Sequence, residues 1–236
     1  MSPLSAQTGI YANGEYLQRH PGWHQEDAAW KAGQVRRLLA RHGIAPRRVC
    51  EVGCGSGEIL ACLQPHWGSE CVFDGYEISP QAFELCRLKQ AQQLRFHLAD
   101  FAATNASGYD AVLLMDVIEH VEDPFSFLRA IAGRGRYKVL HIPLDLSVLG
   151  MLSRLPERVR KSAGHLHYFT KDLALGLLSE CGYQVRDAVY TNGSVDLPPK
   201  SKLAALARIP RALGYRVSPA FTARTLGGCS LLVLAE

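Results

Sequence analysis

V-C-E-V-G-C-G-S-G-E, running from Val49 to Glu58, is a short apolar run, a carboxylate, three glycines on alternate positions and a helix start. Such a stretch predicts a strand that turns sharply into a helix. Glycine suits the turn because it accepts positive φ, and because the missing Cβ lets a ligand approach the backbone. The N–H groups and positive dipole end of the following helix face whatever sits above the turn, favouring a negatively charged or hydrogen-bond-accepting group. The first expectation is therefore a nucleotide-type ligand.

Spacing narrows that expectation. A dinucleotide-binding turn takes G-x-G-x-x-G/A, whose last small residue permits close helix packing, and counting from Gly53 and Gly55 that place holds Glu58. What stands here is Glu51 followed by Gly53, Gly55 and Gly57 around Cys54. This E-x-G-x-G-x-G pattern resembles the first motif of class I S-adenosylmethionine-dependent methyltransferases. Their cofactor carries an ammonium and a sulfonium and no pyrophosphate, so an acidic residue at the strand end attracts it where it would repel a diphosphate.

The next three strands repeat the theme. Cys71 to Ile78 reads as a strand ending in Glu77, about 20 residues beyond the last glycine, the offset at which a second strand offers an acid to ribose hydroxyls. Leu94 to Asp100 is a third strand. By resemblance, Asp100 accepts from an adenine amino group and Phe101 adds an apolar wall; Asp100 equally suits the N-cap of a short helix. Tyr109 to Met115 is a buried strand ending in Asp116 and Val117, with Glu119 and His120 in the loop beyond. Four consecutive strands finish on a polar or glycine cluster, and in an open parallel sheet ligands bind at the carboxyl ends of strands. The D-V-I-E-H segment is similar to small-molecule methyltransferases of this class and lacks the N/D-P-P-Y/F motif of enzymes acting on nucleic-acid bases.

The resemblance implies a doubly wound, Rossmann-like α/β sheet of seven mostly parallel strands, closed by a C-terminal antiparallel hairpin, with helices on both faces. Residues 1–45 read as an N-terminal helical lid and 46–236 as the methyltransferase domain, with a substrate-covering insertion at 145–169 and a basic segment at 197–224. Helical spacing of Ala28, Ala32, Val35, Leu38 and Leu39 predicts a helix over 25–42. Tyr16, Trp23, Trp30 and Lys31 are the lid's candidate contacts; Trp30 reads first as packing, while Trp23 and Lys31 are open between packing and ligand contact. Further helices are expected over 58–65, 81–90, 124–131, 171–181 and 200–213, and strands over 138–144, 183–190 and 229–235.

The cofactor expected from the resemblance is S-adenosyl-L-methionine, held by Glu51, Gly53, Cys54, Gly55, Gly57, Glu77, Ile78, Asp100, Phe101, Asp116 and Val117. Alignment of a nucleophile with the methyl group is the main requirement, and orientation alone supplies about 7–11 kcal/mol. A hydroxyl acceptor adds the need for a base. His120 is the first candidate because histidine titrates near neutrality, with His165, His167 and Glu119 next. His165 and His167 flank one residue and would face the same way in a strand. No carboxylate cluster lies near this H-x-H in sequence, so no metal site is expected. Cys50 and Cys54 lack a partner at zinc spacing and read as core residues.

Composition excludes several classes. With 47% hydrophobic residues and apolar runs far short of the roughly 20 residues a membrane helix needs, no transmembrane segment is expected. Seven cysteines without a C-x-x-C pair, and an N-terminus without a secretory pattern, read as reduced thiols in a cytoplasmic protein. The net charge is +4, and Leu197 to Ala235 holds no acidic residue against six Lys and Arg, which makes this segment a solvated face or an attraction for an anionic acceptor or surface. No aromatic-basic interleaving points to nucleic acid. The expected activity is methyl transfer to an oxygen of a metabolite, sugar or carrier-linked intermediate, by a monomer or homodimer. An NAD(P)-dependent oxidoreductase and an N- or C-methyltransferase of the same fold are the alternatives; Glu58 and the lack of a Y-x-x-x-K pair after the fourth strand weigh against the oxidoreductase.

Overall fold

Five apolar segments pair side by side in one direction: β1 (Arg48–Val52), β2 (Val72–Glu77), β3 (Leu94–Leu98), β4 (Tyr109–Met115) and β5 (Gly135–Pro143). Two more, β6 (Val185–Thr191) and β7 (Ser230–Ala235), join antiparallel, with β7 beside β5. The order is β3-β2-β1-β4-β5-β7-β6, a seven-stranded sheet with the antiparallel hairpin at one edge. This computed structural model describes Trp23, residues 25–199 and residues 201–236. Tyr16, a lid expectation, lies outside the described residues.

Central strands of such a sheet are buried on both faces and so are apolar throughout. Successive side chains alternate between faces, and the two cores follow that alternation. Val49, Leu113, Met115, Val139 and Leu232 pack on one side, against Leu38 and Leu39 of α1 (Gln25–Arg41), Leu60 and Leu63 of α2 (Glu58–Leu63) and Cys86 of α3 (Pro80–Arg87). Cys50, Val112, Leu114, Leu140 and Leu231 pack on the other, against Phe127 and Leu128 of α4 (Pro124–Ile131) and Leu177 and Leu178 of α7 (Lys171–Glu180). Each fully buried Leu or Phe contributes about 1.5–3 kcal/mol.

The starts of these helices are written in the sequence. Ser79, Asp123 and Thr170 accept from the backbone N–H of Ala82, Ser126 and Leu173, and proline follows the first two as the opening helical residue. Residues 145–169 hold two short helices, α5 (Val148–Leu152) and α6 (Leu155–Ser162). Beyond β6 come α8 (Gly193–Asp196), α9 (Lys202–Val217) and α10 (Pro219–Thr225).

Several boundaries differ from the sequence expectation, α3 ending at Arg87 rather than Gln90 among them. β5 begins at Gly135 rather than Lys138, because Gly135 and Tyr137 pair with Tyr109 and Ala111 of β4 although the G-R-Y stretch is polar and carries no strand pattern of its own. The basic helix runs to Val217 rather than Leu213, with Pro210 inside it.

Candidate functional site

The chain leaves β1 toward β2 and β3, then returns past β1 to β4 and β5, so strand order reverses between β1 and β4. Ligands bind beyond the carboxyl ends of strands at such a point. A cavity of about 720 Å³ lies there, lined by Glu51 and Gly53 of the first strand and turn, Glu77 and Ile78 after the second, Asp116 and Val117 after the fourth, and Leu144 and Asp145 after the fifth. α1 covers it with Trp30 and Lys31, and Trp23 sits over the glycine turn.

The turn is tight for stated reasons. Gly55 has φ +55°, and a β-carbon there would stand 2.6 Å from Trp23 Cδ1. Gly57 has φ +74°, and a β-carbon there would stand 2.5 Å from Phe96 Cε1. Cys54 is buried, its Sγ 3.9 Å from Cys86 Sγ, and burial pushes its thiol up.

Glu77 braces this turn. Its Oε2 accepts from Gly55 N–H, and its Oε1 accepts from Ile78 and Ser79 N–H, all at 2.8 Å. Burial raises its pKa against the pull of those three donors. Glu51 differs: it is 1% exposed, its Oε2 has no hydrogen-bond partner among the described residues, and burial raises its pKa well above the carboxylate range. A buried, unpartnered carboxylate oxygen on the cavity wall is costly unless a cation or donor reaches it. The ammonium-bearing ligand expected from the motif satisfies that need, so the residues present fit it.

Asp116 does not face a ligand alone. Its Oδ2 receives Lys31 Nζ at 2.7 Å and its Oδ1 lies 2.6 Å from His141 Nδ1. Lys31 also reaches Asp27 Oδ2 at 3.1 Å. Burial raises the Asp116 pKa, but Lys31 and His141 outweigh it and hold the carboxyl below its ordinary range. Burial likewise lowers the Lys31 pKa, and Asp116 and Asp27 outweigh it, leaving lysine charged. Asp116 adopts φ +58°, a left-handed conformation that Asp tolerates better than most residues. Trp30 packs edge-on against His141, and its Nε1–H donates to Asp196 at 3.1 Å.

The ion cluster of Lys31, Asp27 and Asp116 carries a stability prediction. Lys31→Met removes the cation between two carboxylates; because Asp116 is 27% exposed at its side chain, the ordinary cost of breaking a buried pair is discounted to about 2–3 kcal/mol. For a chain of this length that lowers Tm by roughly 4–12 °C in thermal unfolding. The Asp116 contribution, from a depressed pKa, is present above the unfolded carboxylate value near 4 and is lost as pH falls below it. The Lys31 contribution, from a raised pKa, is present below about 10 and lost only above it. The difference in Tm between wild type and Lys31→Met is therefore flat between about pH 5 and 9 and shrinks in acid.

A second group stands across the cavity. The backbone carbonyl of Glu119 accepts from Leu166 N–H and His167 N–H at 2.7 and 3.1 Å, which hangs the segment before α7 onto the loop after β4. His165 thereby meets His120 edge-on, ring centroids 4.9 Å apart, and its Nδ1 lies 2.7 Å from Asp145 Oδ2. Glu119 is fully buried beside them, its Oε1 3.9 Å from His120 Nε2.

Two sequence expectations are corrected by this geometry. His167 does not share a face with His165, because the segment is not a strand; its Nε2 lies 3.3 Å from Glu122 O, and it is absent from the cavity's described lining. Phe101 is 1% exposed and packs edge-on against Tyr76 in the core, so its ring is not a cavity wall. Asp100 accepts from Ala102 N–H at 3.0 Å, the cap that the sequence offered beside its ligand role. Although no carboxylate cluster lies near the H-x-H pair in sequence, folding brings the Glu119 carboxylate close to His165. Sequence reasoning missed His141, Asp145 and Arg211. Asp145 ends the fifth strand and was open to the same strand-end reading as Glu77; His141 is a lone polar residue inside an apolar run; Arg211, lining the far end, carried no signal beyond its charge.

Comparison with known proteins gives the family and the fold. Residues 23–188 match a family model described as a methyltransferase domain. Ubiquinone biosynthesis O-methyltransferase of Vibrio campbellii is 34% identical over 97 residues, 39% of this chain and 40% of that protein, so the chain spans about two fifths of the length of the curated relatives it matches. Among solved structures, magnesium protoporphyrin IX methyltransferase from Synechocystis with bound SAH aligns over 98% of this chain and 95% of its own, with TM-score 0.59 and 16% identity. N-methyltransferase NodS from Bradyrhizobium japonicum, in complex with S-adenosyl-L-homocysteine, aligns over 87% and 84%, with TM-score 0.55 and 17% identity. With a glycine turn, a braced acid after β2 and a seven-stranded sheet of this order, and a family model covering most of the chain, the protein belongs to the S-adenosylmethionine-dependent methyltransferases.

Proposed function

We propose that this protein transfers a methyl group from S-adenosylmethionine to an oxygen of a small-molecule acceptor bearing an anionic or carrier-linked group. The observation that carries the reading is how strand order distributes the lining of one cavity: Glu51, the glycine turn and Glu77 on the β1 and β2 side, and His120, Asp145 and the His165 held by Asp145 on the β4 and β5 side. The donor supplies an electrophilic methyl on a sulfonium. Glu51 receives its ammonium and Glu77 its ribose hydroxyls, for which one carboxylate can accept from both. Trp23, Trp30 and Lys31 close the cavity and exclude water. At the other end an imidazole takes the proton of the acceptor hydroxyl. His165 is better oriented for this than His120, because Asp145 accepts from Nδ1–H and leaves Nε2 as the basic nitrogen.

The anionic character of the acceptor is supported by Arg211. Among the described lining residues the lysine and arginine side chains are Lys31 and Arg211, and Lys31 is held by two carboxylates. Arg211 is anchored by two donors to Leu226 O at 3.2 Å. Oxygen as the methylated atom is supported by the O-methyltransferase relatives.

A thermal-shift panel tests the donor. S-adenosylmethionine and S-adenosylhomocysteine at about 100 times Kd raise Tm by roughly 5–10 °C, while NAD and NADP leave it unchanged. A shift with NAD(P) alone would return the reading to an oxidoreductase.

A further inference from the structure

We infer that Glu119, His120 and His165 form a binding site for a divalent transition-metal cation on the acceptor side of the cavity. One potential ligand atom from each lies within 4.8 Å of the other two, and all three residues line the cavity. Two observations independent of this clustering point to a cation. Glu119 is 0% exposed, yet neither of its carboxylate oxygens has a hydrogen-bond partner among the described residues. Burying a carboxylate in that state is costly, and a cation removes the cost. His165 is held by Asp145 through Nδ1, the carboxylate–histidine arrangement that orients a metal-ligating imidazole and leaves its other nitrogen for the ion.

The donor set decides the class of ion. Two imidazoles and one carboxylate suit zinc, manganese, iron(II) or cobalt, whereas magnesium and calcium prefer all-oxygen sites. Ligand bonds of about 2.0–2.2 Å set neighbouring ligand atoms roughly 3.3 Å apart, so the three side chains draw together by about an ångström on binding. Three protein ligands leave positions open toward the cavity, the pattern of a catalytic rather than a structural metal site. With an ion bound, His165 Nε2 is a ligand and no longer the base; an acceptor hydroxyl at an open position is instead made more acidic by the ion and releases its proton to solvent. This rests on the methyl-transfer reading for its role, while the ion's binding does not.

Isothermal titration calorimetry of Mn²⁺ and of Zn²⁺ into the tag-free, chelator-treated full chain tests it, each titration run with and without S-adenosylhomocysteine. The expected result is one saturable site per chain, weakened at least hundredfold in Glu119→Gln and in His165→Ala and unchanged in His97→Ala, which alters a histidine paired with Asp74 on the edge of the sheet. Retained S-adenosylhomocysteine binding and Tm in the variants establish that they are folded. Should the wild-type chain bind neither ion, or both variants bind as wild type does, the metal site is overturned. Binding of S-adenosylhomocysteine without metal defeats this inference alone, and metal binding without S-adenosylhomocysteine defeats the methyltransferase reading alone.

Discussion

His165→Ala is expected to lower the rate of methyl transfer by about 10²–10⁴-fold, the usual contribution of a positioned base, while S-adenosylmethionine affinity stays near wild type. The separation follows from place. His165 stands with Asp145 at the acceptor end, whereas the donor's contacts are assigned to the glycine turn and the strand ends of β1 and β2. Asp145→Asn should give a smaller loss in turnover, because it replaces the carboxylate that fixes the imidazole tautomer and leaves the ring in place. Single-turnover rates and calorimetric affinity for the donor, measured on both variants, check this. Unchanged turnover in His165→Ala removes it from the chemistry, and a parallel loss of donor affinity assigns it to the cavity's architecture instead.

Glu77→Ala is the counterpart at the donor end, with S-adenosylmethionine binding expected to weaken by about 10²–10³-fold in calorimetry. Two effects combine. The ribose hydroxyls lose an acceptor, and the N–H groups of Gly55, Ile78 and Ser79 lose theirs. A hydrogen bond to a charged group is worth about 1.5–3 kcal/mol, and an N–H left unsatisfied costs about 1–3 kcal/mol, so the turn that should cradle the donor loosens as well. Glu77→Gln keeps one acceptor oxygen but sets an NH₂ group against either Gly55 N–H or the Ile78 and Ser79 pair, and should fall between wild type and Glu77→Ala. Donor affinity equal to wild type in Glu77→Ala would separate Glu77 from the donor site.

These two residues differ in how far they could be read before folding. Glu77 announces itself: a carboxylate ending an apolar strand at a set distance from a glycine turn is a local pattern, and local patterns survive in one dimension. His165 carried only its residue type and a neighbour at i+2, which led to a strand reading that the structure replaces with an irregular segment tied to Glu119. Phe101 shows the opposite error. Its position after β3 matched a pattern, but its ring turned into the core against Tyr76, while Asp100 formed the cap that the sequence offered.

The strand and helix sequence and the glycine turn were legible in the chain alone, because apolar periodicity, caps and positive-φ glycines act over a few residues, while the antiparallel closure beside β5 was implied by the family resemblance. Tertiary structure decided what lies across the cavity. Glu119 and His165 are 46 positions apart, Lys31 and Asp116 are 85 apart, and nothing within either partner's own neighbourhood specifies the other. Their meeting follows from the sheet order, which sets α1 and the carboxyl ends of β4 and β5 around one cavity, and from burial that leaves each charge there dependent on a partner supplied from elsewhere in the chain.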